Sequence, residues 1–394
     1  MRRFNRIHST VLLLLATGMA GVLSACGSGN SNTLIIATPT PTVAATPIPT
    51  ATATSSATPT PTATATATIN VSLWVANGTN VLEFAPSQLL VLGASSPVPQ
   101  LTNNSAAFGA TQGVTFDTAG DLWVIDGGTV AAGGKVPPGL DEFTPAQLAA
   151  LKTTPNPTPN VKINSAEFVF PQQAVFDATG NLWVSDNGAN AVFEFTPAQL
   201  AAGGANVTPN ITITSTPKFT GPLGIAFGAT GNLWIANNGT TTLFEFNAAS
   251  LPTTSGAVVL TPNVVLSDDG KGSIQAPWAL IFDTAGNLWS SNANAPNTVV
   301  EFAKADLGAT GSPTPAVTLS PTTVAGDPSL IGPNGIAFDN LGDLAAANSL
   351  APFSISLFSK AQLGASGATI PSVFFSGAAT TLNAPAGDVF GPVQ

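Results

Sequence analysis

From residue 70 onward the chain alternates short apolar runs with turns rich in Gly, Asn and Asp, and one arrangement returns six times. Its first half is a run such as Val114-Thr115-Phe116-Asp117, a turn ending at Gly120, and then Leu122-Trp123-Val124-Ile125-Asp126. The same half recurs at Ala174–Asp186, Gly224–Asn237, Phe282–Asn292 and Phe338–Asn348. The second half ends in Phe each time, at Phe84, Phe143, Phe195, Phe246, Phe302 and Phe358. Apolar/polar alternation over four to six residues predicts strands rather than helices. Successive positions Leu73, Leu122, Leu182, Leu233, Leu288 and Leu344 are 49, 60, 51, 55 and 56 residues apart. A strand-built repeat near fifty residues predicts a propeller.

Each unit reads as four strands. Strand a is the run ending in Phe-Asp, and a DxxGN turn joins it to strand b, LWVAN, with Asp accepting backbone bonds and Gly able to take positive φ. Strand c is the VFEF run, followed by a helical turn such as Thr144–Leu148, which Thr can cap and Pro can open. Strand d closes the unit, as at Pro209–Thr214. The ends complement each other: the first unit starts at strand b (Leu73–Asn77), and the chain finishes on an unpaired strand a, Pro385–Phe390. Placing that last strand inside the first blade removes the open edges. The expected fold is therefore all-β: a six-bladed β-propeller of four-stranded blades over 70–394, closed by its C-terminal strand, after a disordered N-terminal stalk.

The residues before it read as an address and a tether. Residues 1–25 have the basic start, apolar stretch and small-residue end of a secretory signal. Leu23-Ser24-Ala25-Cys26 resembles the bacterial lipobox, and Cys26 is the only Cys in the chain. The resemblance implies lipidation of Cys26, a membrane tether without a transmembrane helix. Gly27 after it is compatible with outer-membrane sorting. Residues 26–69 form a linker; between Thr33 and Thr68, Thr, Ala and Pro supply 29 of 36 residues. Such a segment cannot bury a core and favours extended conformations.

The GNLWVAD…VFEF units resemble the NHL-repeat family among six-bladed propellers. Many NHL repeats carry a basic residue just before the final VxxF segment, but here Ala191, Thr242 and Thr298 stand there. Charge points the same way. All three Arg and the single His fall in the first ten residues, and the remainder carries seven Lys against 20 acidic residues, a net charge of −13. Nucleic-acid binding is excluded on that balance. Without His, Ser–His–Asp triads, Cys–His pairs and His-ligated metals are excluded as well, and with them the catalytic His on which virginiamycin B lyase, another six-bladed propeller, depends.

Candidate chemistry is confined to the channel mouth. The residue four before each strand-a Phe should face it, giving Gln112, Gln172, Leu223, Trp278, Asn334 and Ala386. In gluconolactonase-type propellers a divalent cation sits at this mouth on Glu, Asn and Asp, and only Pro333-Asn334-Gly335 matches their Pro-Asn-Gly motif. A hard cation needs oxygen ligands, preferably with carboxylate charge, and this set holds no carboxylate, so a comparable site would need carboxylates from other loops. Gln112, Gln172, Trp278 and Asn334 instead offer amides and an aromatic face, which suit hydroxyls and an apolar sugar face. The Asn/Asp ending each strand b (Asn77, Asp126, Asp186, Asn237, Asn292, Asn348), the turn acids Asp117, Asp177, Asp283 and Asp339, and the Asp268–Gly272 loop are read as turn-forming residues. The strand-b Trp and the strand-a and strand-c Phe are read as core. The expected function is non-catalytic binding or scaffolding at the cell envelope, of a glycan or an envelope protein, by a monomer with no cofactor. The alternative is a metal-dependent lactonase-like hydrolase.

Overall fold

A computed structural model describes residues 68–131, 134–322 and 329–394. The signal segment, Cys26 and nearly all of the 26–69 linker lie outside the described residues. The remainder is the predicted six-bladed propeller, each blade an antiparallel sheet with strand a innermost. Blade 1 is closed as the ends required. Pro385–Gly391 pairs antiparallel with Ser72–Asn77, with Leu73 opposite Phe390, Trp74 opposite Val389 and Val75 opposite Asp388. Blade 2 uses Thr111–Phe116, Leu122–Asp126, Gly139–Phe143 and Val161–Asn164. Blades 3 to 6 start at Pro171, Pro222, Pro277 and Pro333.

Strands a and c run from the face we call the mouth to the opposite base, and strands b and d run back. The base therefore carries the a–b turns, the start of each c–d segment, and both points where the chain meets the propeller. The a–b turn works as its residues suggest. Asp177 Oδ1 accepts from the backbone N–H of Thr179 (2.8 Å) and Asn181 (3.0 Å), and Oδ2 accepts from the Trp183 indole (2.9 Å). Gly180 closes the turn at φ 86°, where a side chain would be strained.

The core is six apolar clusters, one between each pair of neighbouring blades. In five, the strand-b Trp of one blade lies edge-on to the strand-a Phe of the next, as with Trp183 and Phe227 at 5.9 Å and 78°. Such pairs add roughly 0.5–1.5 kcal/mol beyond burial. The seam between blades 6 and 1 is different, because blade 6 has Ala345 in the Trp position. Ile69 and Val71, from the segment leading into blade 1, pack there beside Leu341 and Phe390. That segment is held by Asn340, whose Nδ2 donates to the Thr68 carbonyl (3.0 Å) and whose Oδ1 accepts from the Asn70 N–H (3.1 Å).

The c–d segments do more than turn the chain. Thr144 and Gln147 form a reciprocal cap: Gln147 Oε1 accepts from the Thr144 N–H (2.9 Å) and Thr144 Oγ1 from the Gln147 N–H (3.3 Å). Gln147 Nε2 then donates to the Thr158 carbonyl (2.8 Å), pinning the returning chain. Five of the six segments also pair with the outer strand of the preceding blade. Gly256–Leu260 pairs parallel with Ile211–Ser215, Gly367–Ala368 with Leu319–Ser320, and Gly93–Ser95 with Val373–Phe375. Single bridges do the same between Gly204 and Ile163 and between Gly311 and Leu266. The outer edges of blades 2 to 6 are thus covered laterally, a feature that the four-strand reading did not contain.

Candidate functional site

Neighbouring strands a come so close around the channel that glycine is required at several third positions. A Cβ on Gly113 would lie 2.7 Å from the Gln172 carbonyl oxygen, and one on Gly224 would lie 2.5 Å from that of Trp278. Below this level the channel encloses about 290 Å³, lined mainly by Val, Ile, Leu and Ala of strand a.

The mouth residues stand above it, one per blade. Gln172, Leu223, Asn334 and Ala386 are buried, whereas Gln112 and Trp278 are half-buried. Around the ring the polar members fall into two neighbouring pairs, Gln112 with Gln172 and Trp278 with Asn334. Leu223 of blade 4 and Ala386 of blade 1 separate them. The Gln112 side chain turns back along its own blade, its Nε2 donating to the Ala110 carbonyl at 3.3 Å. Gln172 Nε2 is buried without a partner. The Trp278 indole has neither a hydrogen bond nor an aromatic neighbour among the described residues.

The repeated Asn and Asp at the ends of strands b are occupied structurally. All six are at most 1% exposed. Asp126 accepts from the N–H groups of Gly109 (2.7 Å), Ala110 (2.8 Å) and Gly128 (2.8 Å). Asn292 accepts from Gln275 (2.8 Å) and donates to Thr298 Oγ1 (2.9 Å). Each ties the loop entering strand a to the end of strand b. In the Asp268–Gly272 loop, Asp268 and Asp269 likewise accept from nearby backbone N–H groups. Among the described residues no three His, Cys, Asp or Glu side chains form a group able to hold a metal ion.

Three acidic features were not singled out from the sequence. Asp388 occupies a column that elsewhere holds Val114, Ala174, Ile225, Leu280 and Ile336, each opposite the same position of strand b. Both its carboxylate oxygens are buried and unpartnered, and Oδ1 lies where a Cβ on Gly335 would be only 2.3 Å away. Burial pushes this carboxyl well above the usual range. Its departure from the apolar column was the available signal. Asp141, buried in strand c, pairs with Lys162 Nζ at 2.7 Å; burial outweighs that pairing and raises its pKa to about 6. Finally, Glu142 lines a base-face groove of about 690 Å³ with Asp117, Asp121 and Asp177. Burial raises Asp121 and Glu142, and their carboxyl groups also contact one another. Blades 3, 4 and 5 have Asn181, Asn232 and Asn287 where blade 2 has Asp121.

No family model matches the chain, and no curated protein matches it. Solved structures do. A protein of unknown function from Bacteroides caccae is 10% identical with a TM-score of 0.53, over 82% of this chain and 99% of that one. A chain of the nidogen/laminin complex is 12% identical with a TM-score of 0.52, over 82% and 98%. A candidate 6-phosphogluconolactonase from Bacteroides fragilis is 11% identical with a TM-score of 0.52, over 81% and 97%. At these identities the likeness carries the fold and nothing of the chemistry.

Proposed function

We propose that the protein is a lipid-anchored, NHL-like propeller of the bacterial cell envelope that binds an uncharged partner at its channel mouth without catalysing a reaction. The partner is a glycan or a peptide segment of an envelope protein. The observation that carries this reading is Trp278, a half-exposed indole with no partner of its own, on an innermost strand at the mouth. An indole presents an apolar face for stacking and one N–H for a hydroxyl or carbonyl, and Gln112 and Asn334 stand in the same ring. Acid–base or metal chemistry would draw on carboxylates, and the repeated Asp side chains nearest the mouth, Asp126 and Asp186, are already engaged by backbone N–H groups. The lactonase-like alternative rests on Pro333-Asn334-Gly335 alone, and Asn334 is 8% exposed.

The test is binding of the intact protein to a panel of neutral glycans and envelope peptides, with Trp278→Ala beside the native chain. A ligand whose affinity falls at least tenfold in the variant, with unfolding unchanged, supports the mouth. A ligand bound equally well by both proteins removes it. A melting temperature raised saturably by Ca²⁺ or Mg²⁺ would favour the lactonase-like alternative instead.

A further inference from the structure

Ten large apolar residues are exposed among the described residues, and six of them lie in one place. Leu90 (56% exposed), Val91 (51%) and Leu92 (78%) follow the helical turn of blade 1 in an unbroken run. Gln88 Nε2 donates to the Val98 carbonyl (2.6 Å), bringing exposed Val98 to the same loop. The Gly93 N–H donates to the Ser372 carbonyl (2.8 Å), which sets the run beside exposed Ile370 of blade 6. Gln100 Nε2 donates to the Gln394 carbonyl (3.4 Å), adding Val393. Clusters of this kind mark interaction sites, whereas single exposed apolar residues do not.

We infer that this loop docks on the headgroup–acyl boundary of a phospholipid bilayer. Two observations select that occupant. The first is where the preceding chain arrives: 67 residues come before Thr68, and Thr68–Val71 is clamped by Asn340 on the base face. Ile69 packs in the same cluster as Leu89, the residue immediately before the apolar run. The second is the flanking charge. Lys152 in the c–d segment of blade 2 and Lys360 in that of blade 6 are both exposed, on either side of blade 1, and can meet lipid phosphates. An apolar tip flanked by ammonium groups is the composition of an interfacial anchor. The inference rests on the tether reading of Cys26 but is independent of the mouth.

The test uses the processed chain, residues 26–394, with Cys26→Ser so that no acyl chain contributes. It is floated with phosphatidylcholine/phosphatidylethanolamine vesicles, which are zwitterionic because the protein is strongly acidic. The expected result is co-flotation that falls at least tenfold in Leu90→Ser/Val91→Ser/Leu92→Ser. Val169→Ser, which removes an equally exposed apolar group from the mouth face, should leave it unchanged. Absence of flotation, or equal flotation of the triple variant, overturns the inference. So does a dimer, seen by light scattering without lipid and abolished by the triple variant, which would assign the patch to a second copy of the chain. None of these outcomes bears on glycan or peptide binding through Trp278, so failure here and failure of the mouth reading remain separable.

Discussion

The five regular seams and the closure seam solve the same packing problem by different means. In a regular seam the Trp of one blade fills the gap against the next Phe, and in blades 2, 3 and 5 its indole N–H also satisfies the turn Asp. Blade 6 has lost the whole set. Ala345 replaces Trp, Leu357 replaces the facing Glu, and Asp339 Oδ2 is left buried with no donor. Small residues (Gly335, Ala337, Ala345 and Ala347) leave room that Ile69, Val71 and the Phe84–Phe375 pair help to fill, and an ionisable group, Asp388, sits in an otherwise apolar column. The seam that joins the two ends of the fold is therefore held by strand pairing and aliphatic packing without the Trp–Phe contact, and it carries the buried, unpartnered carboxyl of Asp388; among the regular seams the one between blades 1 and 2 has a counterpart in Glu83, which lies opposite Trp74. A propeller can thus spend its least regular interface where a segment from outside the repeats is available to fill it.

The largest effect should come from breaking a regular seam. Trp183→Ala removes a side chain 3% exposed and is expected to cost about 3–5 kcal/mol in denaturant unfolding. The reverse change, Ala345→Trp, should not restore a sixth regular seam. It must displace Ile69 and Val71 and is expected to destabilise by about 1–3 kcal/mol; a stabilised variant would mean that the incoming segment does not fill that space.

Asp388→Ala sharpens the comparison through pH. A carboxyl raised in the folded state keeps a proton that the unfolded chain releases, so stability falls as pH climbs from the unfolded pKa to the folded one. Asp141, raised from 3.8 to about 6, accounts for a loss of about 3 kcal/mol across that window. Asp388, raised well above its usual value, extends the loss to higher pH. Replacing it with Ala, which blade 3 already has at Ala174, should stabilise the protein by about 1–3 kcal/mol at pH 8 and by less at pH 5. Thermal unfolding at both pH values measures the difference.

The smallest effect separates two turns of identical sequence role. Asp177→Asn places an amide N–H against the Trp183 indole or costs the turn its Oδ1 acceptor, at about 1–2 kcal/mol. In Asp339→Asn the second atom faces no indole, and the change should fall within about 0.5 kcal/mol of neutral. Equal losses in the two variants would show that the Trp bond contributes nothing.

Much of this architecture was legible because the repeats compare the chain with itself. The six units, the turn roles of Asp117 and Asp177, and the pairing of Pro385–Phe390 with Leu73–Asn77 follow from alternation and from the unmatched ends. The lateral strands were not legible. Gly256–Leu260 and Gly93–Ser95 carry no period of their own, and their partners belong to a neighbouring blade. The division of the mouth into two polar pairs was implicit in the order of the blades, but the burial of Gln172 and Asn334 beside half-exposed Gln112 and Trp278 depends on side-chain packing. Asp388 stood out only as one exception in a column whose register had first to be known.

The central claim, that the closure strand is truly paired yet sits in the weakest seam, is tested most directly by native-state hydrogen exchange at pH 5 and pH 8, corrected for intrinsic rates. Amides of Pro385–Gly391 and Ser72–Asn77 should be protected at both pH values. They should nevertheless open more readily than those of Pro171–Phe176 and Leu182–Asp186, by a margin that widens at pH 8. Equal protection in the two regions at both pH values, or no protection of residues 385–391, would contradict the account.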